Sequence, residues 1–276
     1  MVNSRFRSGT PPRPTMVGKS HTRGLCGLGV TDGLIACWDA GSNASCPGTA
    51  TWLDIAGSLK GTLTNMGVGG SAFSSINGGH LSFSGSDDYV NIPDDSAIHP
   101  GTGDFSVCMW VKPTTTTSIV SMRVATTQHK GSWNTYPGWN IRVKGDNGSP
   151  AKWLVHNWGV GSGSSNTCKY TGTTKYVYDA WYLLSMCWDT TDDNAVTSFV
   201  DDAEDGYTAV GGSGVGDVTN SLPLQLGATT YNNGSDTGSA DLAFEGSIAT
   251  LQIYNKALVL ADIKKLYNAG KHRFGK

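Results

Sequence analysis

The stretch FSVCMWVKP, residues 105–113, constrains the chain most tightly. Successive side chains of a strand point to opposite faces. Phe105, Val107, Met109 and Val111 therefore share one face, and Cys108 and Trp110 share the other. Both faces are apolar, so this strand is central and covered on each side. Pro113 ends it. Further strands are expected at LIACWDA, HLSFSGSDDYVNIP, NIRVKG, AKWLVHNW, WYLLSMCWD, SFVDD and PLQLGAT. The second of these reads as two short strands joined by a Gly-Ser-Asp-Asp turn, with Leu81 and Phe83 on one face. Turn clusters at 146–149, 192–194, 211–216 and 231–238 separate the rest. Glu is scarce, at Glu204 and Glu245 alone, whereas Gly numbers 37. Such a chain favours turns and strands over long helices. Many short strands without a linker between them predict one all-β sandwich over residues 31–270.

The sandwich ends in GSIATLQIYNKALVLADIKKLYNAG, residues 246–270. Ile248, Leu251 and Ile253 sit in a strand pattern, whereas Ile263, Leu266 and Tyr267 recur at helical spacing. A strand thus runs into a helix of about three turns, too short to stand alone. Gly270 reads as its C′ residue, with Lys264 and Lys265 towards its C-terminal end.

Charge is segregated. Residues 1–30 hold Arg5, Arg7, Arg13, Lys19 and Arg23 and no acid. Residues 264–276 hold five further basic residues and no acid, and all 22 acids lie between. The N-terminal 30 residues, with Pro11, Pro12 and Pro14, read as an extended basic attachment arm, and residues 271–276 as a basic tail. Basic ends suit an acidic neighbour protein or a nucleic acid. Of six Cys, Cys37, Cys108 and Cys187 fall inside apolar strand patterns and read as buried thiols, whereas Cys26, Cys46 and Cys168 could pair. No apolar run reaches membrane-spanning length. Arg5 and Arg7 precede no apolar stretch, so no secretory signal is expected.

Five stretches in order, GLIACWDAG (33–41), LSFSGSDDYVNIP (81–93), GDFSVCMWVKP (103–113), WYLLSMCWD (181–189) and the closing strand with IYNKAL, resemble the laminin-G-like branch of the concanavalin A-like lectin/glucanase superfamily. The resemblance implies a jelly roll of two antiparallel sheets with the first and last strands adjacent. The ending YNAGKHRFGK resembles that of such domains in tailed-bacteriophage virion proteins.

Some members of the superfamily are glucanases, which need two carboxylates flanking the scissile bond. The one carboxylate cluster here is VDDAEDG, and it reads as a solvated acidic turn, so no enzyme is expected. Related domains often bind calcium through acids near the DDY segment and the closing strand. Asp87 and Asp88 match the first place, but Ala249 and Thr250 occupy the second, which puts the ion in doubt; no other cofactor is expected. The most distinctive polar-aromatic region is GSWNTYPGWN with WLVHNWG. Trp139 and Trp153 read as core, and Trp133, Tyr136 and Trp158 as candidates for stacking on sugars, with His156 and Asn157 as polar contacts beside them. The resulting expectation is a bacteriophage virion protein decorating the capsid. Its arm would bind the major capsid protein or another virion component, and its sandwich host or environmental glycans, as a monomer or homo-oligomer. A tail, baseplate, neck or fibre-tip adhesin and a freestanding carbohydrate-binding lectin are the alternatives.

Overall fold

The computed structural model describes residues 24–66, 72–114, 122–126, 138–146, 149–159, 166–191, 195–212, 217–228 and 243–276. Among these residues seventeen strands follow a 3-10 turn at Gly24–Gly27. They are β1 (Leu34–Asp39), β2 (Thr51–Leu53), β3 (Lys60–Thr64), β4 (Phe73–Ser74), β5 (His80–Ser84), β6 (Tyr89–Ile92), β7 (Phe105–Pro113), β8 (Met122–Thr126) and β9 (Gly138–Asp146), then β10 (Ser149–Gly159), β11 (Asn166–Thr171), β12 (Tyr182–Asp189), β13 (Ala195–Val200), β14 (Ala203–Glu204), β15 (Tyr207–Gly212), β16 (Leu224–Leu226) and β17 (Glu245–Tyr254). The helix α1 (Leu260–Gly270) follows.

Two antiparallel sheets form the sandwich. The first runs β14-β13-β12-β7-β17-β5-β4, and β1 pairs with the second half of β17. First and last strands are thus neighbours. The second sheet runs β15-β11-β10-β9-β8-β16-β6-β3-β2. β7 lies between β12 and β17, with Met109 opposite both Leu184 and Leu251. Its Phe105, Val107, Met109 and Val111 enter the core between the sheets, where Trp139, Ile141 and Val143 of β9 meet them. Its Cys108 and Trp110 face a second apolar layer, built with Leu183, Cys187, Ile263, Leu266 and Phe274. The two-faced apolar strand is central for this reason: each face has its own cover.

The second cover is the chain's own C-terminus. α1 does not end at Gly270 in a left-handed cap. A 3-10 turn, Lys271–Phe274, continues it, and Gly275 takes the left-handed conformation at φ 72°. Gly270 is required for a different reason: a Cβ there would stand 2.6 Å from the indole nitrogen of Trp110. Lys264 and Lys265 lie in mid-helix, and Lys265 pairs with Asp262 at 2.9 Å. Residues 271–276, read from the sequence as a basic tail, pack on the body. Phe274 stacks on Trp110 with ring centroids 4.3 Å apart and meets Trp181 at 4.6 Å. Arg273 donates to the carbonyls of Asn77 (2.8 Å) and Gly79 (2.6 Å) and forms an ion pair with Asp39 (2.7 Å). Lys276 pairs with Asp201 at 2.8 Å.

Asp39 joins the C-terminal turn to the 3-10 turn at Gly24–Gly27. Its carboxylate also accepts hydrogen bonds from the backbone amides of Leu25 and Gly41. Beside it, Cys26 and Cys37 form a disulfide with Cα atoms 5.7 Å apart. Cys37 is therefore not a thiol, contrary to its apolar strand context. The 3-10 turn at Gly24–Gly27 folds back on β1 and brings Cys26 within bonding reach. Cys46, Cys108 and Cys187 are free and buried. Burial pushes the Cys187 thiol up to about 12, so it stays protonated and unreactive. The side chain of Cys168 lies outside the described set.

Candidate functional site

Register places several strand ends together at one end of the second sheet. Ile92, the last residue of β6, lies opposite Leu224, the first of β16. Gln225 lies opposite Thr126, the last residue of β8, and Thr126 opposite Asn140 near the start of β9. Asn140 lies opposite His156, and Gly138 opposite Gly159 at the end of β10. The first sheet contributes Phe105, whose ring lies 5.9 Å from that of Trp139.

A small, shallow, open cleft lies at this end between residues 94–100, 218–222 and Trp139. Asp95 caps a 3-10 turn by accepting from the Ala97 amide at 2.8 Å, and this turn buries Ile98 against the core. His99 and Asp94 then stand side by side, Nε2 to Oδ1 2.6 Å. The opposite wall is tied down by the Val218 amide, which donates to the Gly101 carbonyl at 3.1 Å. Within that wall the Asp217 carboxylate accepts from Thr219, which holds it below the usual carboxylate range; the neighbouring His99 adds a smaller effect in the same direction. Asn220 accepts from the Leu222 amide at 2.8 Å. The result is an apolar base of Ile98, Val218 and Trp139 with a half-exposed polar rim of Asp94, His99 and Asn220.

The residues singled out from the sequence relate to this end as follows. Trp133 and Tyr136 lie outside the described residues, in the connection between Thr126 and Gly138, both of which belong to this end. His156 lies on β10 opposite Asn140 and Lys169, and Trp158 opposite Cys168, with Asn157 at the irregularity between them. The side chains of these three are outside the described set. Trp139 is core, as read; the Trp153 side chain is not described. The arm residues Arg5, Arg7, Arg13, Lys19 and Arg23 also lie outside the described residues. Sequence reading missed Asp94, His99, Asp217 and Asn220. The capping signature PDDSAIH was the available signal for the first two.

Among the described residues the carboxylates build neither a cation site nor a catalytic pair. Asp88 accepts from the Ser84 amide at 2.7 Å and thereby closes the β5–β6 turn, at the opposite end of the sandwich, and Asp87 is exposed. Ala249 and Thr250 are fully buried within β17, and the Thr250 hydroxyl faces the Trp110 amide. Calcium needs six to eight oxygen ligands. Among the described residues no three His, Cys, Asp or Glu side chains converge. The residues therefore do not fit the ion at Asp87 and Asp88. Asp201 and Asp202 form the two-residue turn of the β13–β14 hairpin, and Glu204 is exposed on the edge strand β14. Asp205 is buried and accepts from the amides and hydroxyls of Thr173 and Thr174. This is a structured acidic turn, not a pair of carboxylates across a cleft.

A laminin-G-type family profile described as "Concanavalin A-like lectin/glucanases superfamily" matches residues 84–264. Among solved structures, domain 4 of AbnA, an extracellular arabinanase from Geobacillus stearothermophilus in complex with arabinotriose, is similar at 19% identity and TM-score 0.56, over 85% of this chain and 98% of that one. The binding domain of Paraclostridial Mosquitocidal Protein 1 is similar at 10% identity and TM-score 0.59, over 89% of this chain and 53% of that one. A mutant of Trypanosoma rangeli sialidase displaying trans-sialidase activity is similar at 13% identity and TM-score 0.56, over 90% of this chain and 34% of that one. The chain therefore spans about half of the mosquitocidal binding domain and a third of the sialidase. No curated protein matches it significantly. With two-faced strands, two antiparallel sheets and a matched profile over most of its length, the chain belongs to the concanavalin A-like lectin/glucanases superfamily.

Proposed function

We propose that the chain is a non-catalytic carbohydrate-binding module that holds a glycan at the end of the sandwich bearing the Asp94–His99 cleft. The observation that carries this reading is convergence. The register brings the cleft, Thr126 at the end of β8, Gly138 at the start of β9 and the His156–Trp158 segment of β10 to one end, and Trp133 and Tyr136 fall between Thr126 and Gly138 in the sequence. Sugar rings offer apolar faces to aromatic side chains and hydroxyls to a carboxylate, imidazole and amide rim. The AbnA domain, similar over nearly its whole length, holds arabinotriose in its own structure. A glycan array probed with wild type and with Trp133→Ala/Tyr136→Ala tests the reading. Wild type retains a defined set of glycans, and the double variant loses them while its melting temperature stays within a degree or two.

A second reading concerns where the module sits. The five basic residues and no acid of residues 1–30 precede a body that carries every acid of the chain. Arg273 and Lys276 pair with Asp39 and Asp201, whereas the five basic residues of the arm have no acid within their own segment. We place the module on a virion surface, with the arm bound to the major capsid protein or another structural component. Removing residues 1–23 leaves the sandwich folded, since its first strand begins at Leu34. It abolishes incorporation into particles, measured as copies per particle. Full occupancy by the truncated chain contradicts the attachment role.

A further inference from the structure

The outer face of the first sheet carries a buried histidine that the candidate site does not use. His80 is the first residue of β5. Leu81 and Phe83 enter the core between the sheets, so His80 belongs to the opposite face of the strand. It is 6% exposed. Its Nδ1 lies 3.1 Å from the Ile76 carbonyl oxygen, which can only accept, so Nδ1 carries the proton of the neutral ring. The ring meets that of Trp181 edge to face, with centroids 5.5 Å apart.

Both partners of His80 belong to the seat of the C-terminal turn. The segment that holds the imidazole through Ile76 also offers the Asn77 and Gly79 carbonyls to Arg273, and the Asn77 amide donates to the Arg273 carbonyl at 3.3 Å. Trp181 is one of the two indoles that receive Phe274. His80 thus touches both fastenings of Lys271–Phe274. The charged groups facing it are cations, Arg273 from that turn and Lys112 from β7, whose Nζ stands 6.0 Å from the Trp181 ring. Asp39 is engaged by Arg273 at 2.7 Å. Burial above all holds the imidazole below the ordinary histidine range. The Ile76 carbonyl opposes this, and Lys112 and Arg273 add smaller effects in the same downward direction. A second proton on the ring would place a third cation in a dry site.

We propose that His80 is an acid-sensitive release for the C-terminal turn, whose protonation frees Lys271–Phe274 and uncovers the indoles of Trp110 and Trp181. The closed form holds the ring neutral. Opening returns it to water, where it binds a proton at the ordinary histidine value of about 6.5. The closed form is therefore fully favoured above that value and loses ground as pH falls through it. The ties of the turn to the sheet named above, through Arg273, Phe274 and Lys276, are side-chain ties, so lifting it breaks no strand pair. The face uncovered is aromatic, and Lys112 flanks it.

The test uses the full chain. Hydrogen exchange over residues 271–276, corrected for intrinsic rates, speeds up about tenfold between about pH 7.5 and about pH 5.5, while β7 and β17 stay protected. Tryptophan emission shifts to the red over the same range. His80→Gln keeps an amide that can donate to the Ile76 carbonyl but gains no charge, and its exchange over 271–276 no longer responds to pH. His272→Gln removes the exposed histidine of the turn itself and responds as wild type does. In wild type the His80 ring signals titrate below the ordinary histidine range by NMR. Exchange over 271–276 that ignores pH in wild type overturns this role, as does a response unchanged in His80→Gln or lost in His272→Gln. A His80 ring that titrates at or above the ordinary range overturns it without any variant. Loss of protection in β7 and β17 together with the turn overturns it too, because the event is then global unfolding.

Discussion

Replacing Arg273 with Ala lowers the unfolding free energy by about 3–5 kcal/mol, the usual cost of removing one partner of a buried ion pair. Asp39 is fully buried, and Arg273 is 14% exposed at its side chain. The guanidinium satisfies three acceptors at once: the Asp39 carboxylate and the carbonyls of Asn77 and Gly79. Without it the carboxylate keeps only the amides of Leu25 and Gly41 as donors in a dry site. The planar fork is what reaches three acceptors, so Arg273→Lys recovers little. The double variant Asp39→Ala/Arg273→Ala loses clearly less than the sum of the two single variants, because it leaves no charge stranded. Urea titration reads the effect as a lower midpoint at unchanged slope. A loss below about 1 kcal/mol in Arg273→Ala contradicts this account of the closure.

Phe274→Ala is expected to cost a similar amount, about 3–5 kcal/mol, by a different mechanism. The ring is 5% exposed and packs against the indoles of Trp110 and Trp181. Its loss opens a cavity beneath the outer face of β7 that the short 3-10 turn cannot collapse to fill. Phe274→Leu keeps most of the volume and costs about 1 kcal/mol. The fluorescence of Trp110 and Trp181 shifts to the red in the Ala variant under native conditions, which separates local exposure from global unfolding. Unchanged emission with unchanged stability would mean that the C-terminal turn does not pack there.

The sandwich was legible because its signals are local. The period of two in 105–113, apolar on both faces, required a central strand with two covers. The identity of the second cover was not legible. KHRFGK reads as a solvated basic end, and only tertiary packing turns Arg273 towards Asp39 and Phe274 towards Trp110. Gly270 misled for the same reason: local capping rules explain a glycine at a helix end, whereas the indole pressed against its Cα is a long-range fact. Cys26 pairs with Cys37 because the chain folds back in a 3-10 turn that no periodicity announces. At the candidate site the aromatic residues were visible by composition. The meeting of Trp139 with Asp94 and His99 at one cleft was not, since β16 enters the sheet between β6 and β8, far from either in sequence.

The central claim is that this end of the sandwich binds a glycan without calcium. Calorimetric titration of the best glycan from the array, into wild type and Trp133→Ala/Tyr136→Ala, each with and without a chelator, tests it most directly. The account predicts binding indifferent to chelator and weakened in the double variant by on the order of 1–3 kcal/mol, about tenfold to a hundredfold. Binding that survives the substitutions but vanishes with the chelator would contradict it.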